Sequence, residues 1–297
     1  MSSCCAPAPQ ADPTPTDANA IRARVRAEYG QIAETVGSSC CGPSSCGPSG
    51  VASLDDRARS LGYTDAQLAA VPLGANLGLG CGNPTAIASL RPGETVLDLG
   101  SGAGFDALLA AEQVGAEGRV IGVDTTPQML ARARKNAVEA DLAGICDFRE
   151  GLIEALPVVD DSVDVILSNC VINLSPDKPQ VFREAFRVLR PGGRIAVSDI
   201  VLTEELPALI AGSASSWVAC LSGAMLADDY LQAIRDAGFT DIDFTRTPAA
   251  DLLEGALTDP TFQAVVAAAG EQVVRDAAGR VWSYKITASK PLVTAES

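Results

Sequence analysis

The chain has 297 residues, and its 37 acidic and 22 basic residues give it a formal charge of −15. This length is enough to bury a large core, in one elaborated domain or in two. The charge argues against nucleic acid or an anionic membrane surface as a partner, and no apolar run approaches the roughly 18 residues that cross a bilayer.

The first residues, Met1–Cys5, have neither the basic nor the apolar region of a signal peptide. We therefore expect a cytoplasmic protein whose cysteines rest in the reduced form. The chain has no histidine, which excludes His general bases, Ser-His-Asp triads and His-liganded metal sites. The odd number of cysteines argues against a complete disulfide framework. They are Cys4, Cys5, Cys40, Cys41, Cys46, Cys81, Cys146, Cys170 and Cys220. Thiols and carboxylates must carry most of any chemistry.

Upstream of the core, residues 1–18 are small, polar and rich in proline, which predicts a disordered leader. Apolar residues at helical spacing predict a helix over 20–36. Glycine, serine and proline surround three cysteines in residues 37–48, which predicts a flexible loop. Thr64 is a candidate N-cap for a short helix over 65–70.

The core begins with a short apolar strand over 95–99, followed by a turn that contains Gly100, Gly102 and Gly104. Glycines at such a turn let a ligand approach the bare main chain. A second strand ends in Asp124, about twenty residues past the last glycine, where an acid can bind the two hydroxyls of a ribose. We therefore predict a nucleotide site here.

Strands and helices alternate through the core, which predicts a mostly parallel, doubly wound α/β sheet. The strands are predicted over 95–99, 119–123, 146–149, 163–168 and 194–199, and the helices over 104–115, 127–140 and 178–189. The apolar segment 202–225 interrupts this alternation. A helix over 228–237, an alanine-rich helix within 260–278, and an antiparallel pair of strands over 241–247 and 280–289 complete the chain.

Three details narrow the class of nucleotide site. The third glycine follows the second by two residues, Asp98 stands inside the first strand, and the turn Leu189–Gly193 precedes the fifth strand. Together they resemble the class I methyltransferases that bind S-adenosylmethionine, with a Rossmann-like fold.

The cysteines differ in their surroundings. Cys146 opens a strand and reads as a small core residue, whereas Cys170 follows the fourth strand, at the edge where open α/β sheets bind ligands. Cys81, in a glycine-flanked turn, and Cys220, in the apolar segment, could meet it in a thiolate site for a thiophilic ion. Structural zinc sites favour closely paired cysteines, which only Cys41 and Cys46 approach.

Three cysteine motifs make the resemblance specific. Gly80–Pro84, Ser168–Leu174 and Ala219–Ala224 look like the cysteine-bearing motifs of arsenite S-adenosylmethionine methyltransferases, over a similarity that runs from about Tyr29 to Gly238. One departure is Leu79, where some members of that family place an aromatic residue against the cofactor.

The resemblance implies an enzyme that methylates As(III), with Cys40, Cys81, Cys170 and Cys220 as its working cysteines. Thiolates of Cys40, Cys170 and Cys220 would bind the arsenic, with Cys41 or Cys46 as alternatives to Cys40, and Cys81 would take part in a disulfide or an arsenic handover. The implied cofactor site comprises Asp98, Gly100, Ser101, Gly102, Asp124, Thr125, Met129, Ile153, Glu154 and Asn169.

The resemblance also implies S-adenosylmethionine as methyl donor, arsenite and methylated trivalent arsenicals as substrates, and a thioredoxin- or glutathione-type thiol reductant. We expect a flexible Cys-rich extension over 1–50, a cofactor-binding domain over 51–205, and a C-terminal region over 206–297 that completes the sheet and contributes to the As(III) site. Two alternatives remain: a methyltransferase for a small organic acceptor, in which the cysteines are bystanders, and a metalloid sensor that turns nothing over.

Overall fold

The computed structural model describes residues 17–35, 49–211, 223–249 and 263–292. The loop predicted over 37–48, with Cys40, Cys41 and Cys46, lies outside the described residues, as do Cys4, Cys5 and Cys220. In the described part of the chain, no helix combines the length and the apolar composition needed to cross a bilayer.

Seven strands and ten α-helices make up the described fold. The strands are β1 (Thr95–Leu99), β2 (Arg119–Asp124), β3 (Cys146–Glu150), β4 (Val163–Asn169), β5 (Leu189–Leu202), β6 (Thr240–Pro248) and β7 (Val281–Ser289). The helices are α1 (Ala18–Thr35), α2 (Ser49–Ser60), α3 (Asp65–Ala69), α4 (Phe105–Val114), α5 (Pro127–Glu139), α6 (Lys178–Val188), α7 (Ala208–Ala211), α8 (Ala227–Asp236), α9 (Gln263–Ala269) and α10 (Glu271–Ala278), with a 3₁₀ turn at Ile172–Leu174.

The strands form one sheet in the order β3-β2-β1-β4-β5-β7-β6. Strands β1 to β5 run parallel to one another, and β7 runs antiparallel to both β5 and β6. This arrangement confirms the predicted mixed α/β fold and the predicted antiparallel pair at its end. The carboxyl ends of β1, β2 and β4 meet at one edge of the sheet, which is where such folds bind ligands.

Both faces of the sheet are covered by helices. On one face, Leu97 and Leu99 of β1 belong to a cluster with Phe182 of α6 and Tyr230 of α8. On the other face, Val96 belongs to a cluster with residues of α4 and α5. Because successive side chains of a strand point to opposite faces, the continuous apolar run of β1 serves both clusters.

Several elements differ from their predicted bounds. The fifth strand begins at Leu189 instead of 194, because Leu189 pairs with Val163 and the chain then bulges before Arg194 pairs with Val165. Helix α2 was not predicted. The alanine-rich helix is divided into α9 and α10 at Gly270, whose φ of +87° ends the first helix. The predicted N-cap is confirmed, since Thr64 and Gln67 form a reciprocal capping box on α3.

Candidate cofactor and thiol site

A cleft opens at the carboxyl ends of β1, β2 and β4, with an empty volume of about 1250 Å³ when its mouth is included. Its floor is formed by the turn after β1, and part of its wall comes from Arg22, Val25 and Tyr29 of α1. Most of the residues predicted to bind a cofactor line this cleft: Asp98, Gly100, Ser101, Gly102, Asp124, Thr125, Ile153, Glu154 and Asn169.

The turn after β1 brings main chain to the cleft. Gly100 and Gly102 have φ values of +61° and +51°, which residues with a side chain rarely adopt. A Cβ atom on Gly100 would also collide with the side chain of Val171. Between the two glycines, the buried hydroxyl of Ser101 has no hydrogen-bond partner among the described residues. A polar ligand in the cleft would supply one.

Asp124, at the end of β2, is oriented by two backbone groups. The N–H of Gly102 donates to its Oδ2 at 3.0 Å, and the N–H of Thr126 donates to its Oδ1 at 2.8 Å. Burial raises the pKa of Asp124, and these hydrogen bonds partly oppose the rise. A carboxylate in this position can accept hydrogen bonds from the hydroxyls of a ribose.

Two further acids share the floor of the cleft, Asp98 of β1 and Asp106 in the first turn of α4, with 3% and 7% of their surface exposed. Burial raises the pKa of Asp98 well above its usual range, and the charges of Asp106 and Asp124 raise it further. Burial also raises the pKa of Asp106 to about 6. A cationic ligand would therefore bind favourably at this floor, because its charge would offset the repulsion among the carboxylates of Asp98, Asp106 and Asp124.

Asn169, the last residue of β4, joins this acidic floor to the turn that carries Cys81. Its Nδ2 donates to Asp106 Oδ2 and to the carbonyl oxygen of Gly82, both at 2.9 Å. Its Oδ1 accepts from the N–H of Cys81 at 3.0 Å. Tyr63 completes the network by donating its hydroxyl to Asp106 Oδ1 at 2.7 Å.

Asp106 and Tyr63 were not predicted as site residues from the sequence. An acid in the first turn of a helix is common for reasons of helix stability alone, so Asp106 carried no functional signal. Tyr63 lies 43 residues away from it along the chain. Only the fold brings the two side chains together.

Two of the predicted cofactor-binding positions, Glu154 and Met129, differ in where they lie. Glu154 accepts from the guanidinium of Arg22 at 3.1 Å and from the hydroxyl of Ser175 at 2.9 Å, so α1 is tied across the cleft. Met129 is fully buried and does not line the cleft; it packs in a cluster with two residues that do, Leu77 and Ala103.

Cys81 and Cys170 form a disulfide, with their Cα atoms 5.7 Å apart. Cys170 lines the cleft and has a φ of +59°. The pair differs from the expectation that every cysteine rests reduced, because the glycine turn and the end of β4 bring the two sulfurs within bonding distance. Cys40, Cys41 and Cys220, the other predicted arsenic-binding positions, lie outside the described residues.

Cys146 lies at the start of β3, packed beside Phe148 on the α4 and α5 face of the sheet. Burial, followed by the charge of Asp98, raises the pKa of its thiol to about 12. It would be a poor nucleophile and a poor ligand at neutral pH, because thiolates are the reactive form.

The fold and the cleft are those of a methyltransferase domain, and a family model described as a methyltransferase domain matches residues 90–238. An arsenite methyltransferase of Halobacterium salinarum is 47% identical over 76% of this chain and 59% of its own length. An arsenite methyltransferase of Aquipseudomonas alcaligenes is 40% identical over 61% of this chain and 53% of its own length.

Among solved structures, the chain is similar to an arsenic(III) S-adenosylmethionine methyltransferase from Chlamydomonas reinhardtii. The two are 32% identical with a TM-score of 0.55, over 81% of this chain and 75% of that one. The chain belongs to the family of arsenic(III) S-adenosylmethionine methyltransferases, which confirms the resemblance drawn from its cysteine motifs. The chain spans between half and two thirds of the length of the Halobacterium and Aquipseudomonas relatives.

Proposed function

We propose that the protein transfers methyl groups from S-adenosylmethionine to trivalent arsenic bound by cysteine thiolates. The observation that carries this proposal is the position of Cys170, which lines the same cleft as Gly100, Gly102 and Asp124. A thiol that faces a nucleotide cleft can hold a thiophilic acceptor next to a bound methyl donor.

The residues of the cleft fit S-adenosylmethionine, which when bound supplies an electrophilic methyl group on a sulfonium. Gly100 and Gly102 offer main chain, and Asp124 offers an oriented carboxylate for the ribose. Ser101 offers a hydroxyl that has no partner within the part of the chain that the structure describes. The cofactor carries a sulfonium and an ammonium, and the acidic floor around Asp98 matches two positive charges. Adenine would meet the loop that contains Ile153 and Glu154.

The arsenic would be bound by thiolates of Cys170, Cys220 and Cys40, with Cys41 as the alternative to Cys40. As(III) bound by three sulfurs is pyramidal, and its lone pair points away from them. In-line attack of that lone pair needs no general base, which suits a chain without histidine. The protein would contribute positioning, which can lower a barrier by roughly 7–11 kcal/mol in favourable cases.

Cys170 binds arsenic only as a thiolate, so its disulfide with Cys81 must open first. A thioredoxin- or glutathione-type reductant would supply the electrons, and Cys81 would take part in this exchange or in passing arsenic to the site. The substrates would be arsenite and the methylated trivalent arsenicals formed from it. The protein would act in the cytoplasm, where such reductants are present.

In this proposal the chain has three parts. Residues 1–50 are a Cys-rich extension that brings a thiol to the site, residues 51–205 bind the cofactor, and residues 206–297 complete the sheet and contribute Cys220.

The test is arsenite-dependent release of S-adenosylhomocysteine in the presence of a thiol reductant. Wild type is compared with Cys170→Ser and with a matched control, Cys146→Ser, which removes a thiol outside the cleft. We expect activity in wild type and in the control, and a loss of at least 100-fold in Cys170→Ser.

The rival functions give different results. Release with an organic acceptor and no arsenic, unaffected by Cys170→Ser, would identify a methyltransferase in which the cysteines are bystanders. Tight As(III) binding without any release would identify a sensor. Either result contradicts the proposal.

A further inference from the structure

One buried acid lies outside the cleft and beside the disulfide. Asp199, on β5, is fully buried, and one of its carboxylate oxygens lies within 4.8 Å of the sulfurs of both Cys81 and Cys170. It does not line the cleft, and methyl transfer as proposed above does not use it. A buried carboxyl group is costly unless it is well bonded, so its place next to two sulfurs invites a chemical role.

The carboxyl of Asp199 is held in one orientation. Its Oδ1 accepts from Asn173 Nδ2 at 2.8 Å and from the N–H of Ile200 at 2.9 Å, and its Oδ2 accepts from the hydroxyl of Tyr230 at 3.0 Å. The positive charge of Lys178, at the start of α6, lowers the pKa of Asp199. The titratable hydroxyl of Tyr230, on α8, also lowers it by donating a hydrogen bond.

The two sulfurs of the disulfide are not equivalent. Cys170 lines the cleft, whereas Cys81 is not among the lining residues, so a thiol that enters through the cleft meets Cys170. The Cys81 sulfur lies 3.4 Å from the carbonyl oxygen of Ser198 and 3.9 Å from Asn169 Oδ1. These acceptors stabilise a protonated thiol and disfavour a thiolate, so Cys81 needs a proton as it leaves.

We infer that Asp199 is a proton donor for the opening of the Cys81–Cys170 disulfide by a dithiol reductant, with its carboxyl giving a proton to the sulfur of Cys81 as that sulfur leaves. The inference rests on the reduction step of the proposed function, which names no acid, and it holds whether or not arsenic is the methyl acceptor. Burial raises the pKa of Asp199 to about 7, so the group is protonated in a useful fraction of molecules near neutral pH.

A dithiol reduces the Cys81–Cys170 disulfide in two displacement steps. One thiol of the reductant loses its proton to water and attacks Cys170 as a thiolate. The disulfide breaks, its electron pair goes to the Cys81 sulfur, and Asp199 gives that sulfur a proton. The second thiol loses its proton to water and attacks the reductant sulfur of the mixed disulfide, so the oxidised reductant departs as a cyclic disulfide, and Asp199 regains a proton from water. Cys170 leaves as a thiolate, and two electrons have passed from the dithiol to the pair.

The test measures how fast a small dithiol reduces this pair at pH 5.5 to 8.5 in the full chain. Quenching with an alkylating reagent, followed by peptide mass spectrometry, separates Cys81 and Cys170 from the other cysteines. Wild type is compared with Asp199→Asn, which keeps the shape of the side chain but carries no transferable acid. The matched control is Asp164→Asn, an acid on β4 that accepts from the N–H of Thr95 and from Arg190.

We expect Asp199→Asn to be reduced at least 10-fold more slowly than wild type at pH 5.5. The difference should shrink as the pH rises through about 7, because wild-type Asp199 then loses its proton. The Asp164 variant should match wild type throughout. A ratio of wild type to Asp199→Asn that is 1 at every pH, or that is constant across the range, would overturn the inference.

A second variant covers the case in which Asp199→Asn does not fold. The Tyr230 hydroxyl lowers the pKa of Asp199 by donating to it, so Tyr230→Phe should raise that pKa. Disulfide reduction slows as the pH rises and Asp199 loses its proton. In Tyr230→Phe this slowing should begin at a higher pH than in wild type. An unchanged pH profile in Tyr230→Phe would count against proton donation by Asp199.

Discussion

Asp98 and Asp199 are both buried aspartates on strands, but their surroundings differ. Asp98 faces the open cleft, close to two other carboxylates, and its pKa is raised by burial and by their charges. Asp199 is enclosed, and three donors from different elements satisfy its oxygens. The acid in the cleft is arranged for a cation that arrives with a ligand, whereas the enclosed acid is held in one orientation by the fold.

Asn169 lies between these two regions. It bonds Asp106 on the cleft side and the N–H of Cys81 on the sulfur side, and the next residue along the chain is Cys170. One strand end therefore positions both the acidic floor and the disulfide. This contrast indicates that cofactor binding depends on carboxylates that repel one another in the cleft, and sulfur chemistry on a carboxyl group that the core holds in one orientation.

Neutralising Asp98 and Asp199 in turn separates their roles. We expect Asp98→Asn to weaken the binding of S-adenosylmethionine by about 10- to 100-fold, since it removes a charged acceptor from the cleft. Asp199→Asn should leave this affinity within about twofold of wild type, because Asp199 does not line the cleft. Calorimetric titration of both variants, in reduced form, measures the difference.

Thermal unfolding without ligand is the control for that pair. Asp98→Asn should be at least as stable as wild type at pH 8, because it removes a repelled buried carboxylate. That advantage should vanish at low pH, where the wild-type carboxyl is protonated. If Asp98→Asn lost stability and affinity together, Asp98 would be a structural acid and the contrast with Asp199 would fail.

A smaller effect comes from pH. S-adenosylmethionine carries a sulfonium that S-adenosylhomocysteine lacks, and the Asp106 carboxyl, with a pKa of about 6, becomes charged as the pH rises. We expect the preference for the sulfonium ligand to increase by roughly three- to tenfold between pH 5 and pH 8. The ratio of the two dissociation constants measures it, and the ammonium common to both ligands cancels.

Asp106→Asn should flatten this dependence. A ratio that stays constant with pH in wild type would show that the acidic floor does not act on the sulfonium.

The sequence predicted the parts of the site that depend on local pattern. A continuous apolar strand, a glycine turn and an acid about twenty residues later locate Asp98, Gly100 and Asp124 without any tertiary information. The cysteine motifs marked Cys81 and Cys170. Each of these signals lies within a short motif or within one strand–helix–strand unit, where spacing along the chain constrains the geometry.

The rest depends on contacts between distant segments. Cys81 and Cys170 are 89 residues apart, so the pairing in this structure follows from the fold. Asp199 lies in an ordinary apolar strand. Tyr230 belongs to no motif, and the Ser168–Leu174 motif, which contains Asn173, does not reveal the contact with Asp199. The early start of β5 was missed for a similar reason, because it depends on the pairing of Leu189 with Val163.

Single-turnover methyl transfer measures whether arsenic is methylated only when Cys170 is a free thiolate. The protein is prepared with its Cys81–Cys170 disulfide either intact or reduced, incubated with arsenite, freed of excess reagent, and mixed with S-adenosylmethionine. Chromatography of the released arsenic then measures methylated product. We expect product in the reduced protein and at least 100-fold less in the oxidised protein, because only the reduced form presents the Cys170 thiolate to the cleft. Equal methylation in both forms would contradict arsenic binding by Cys170.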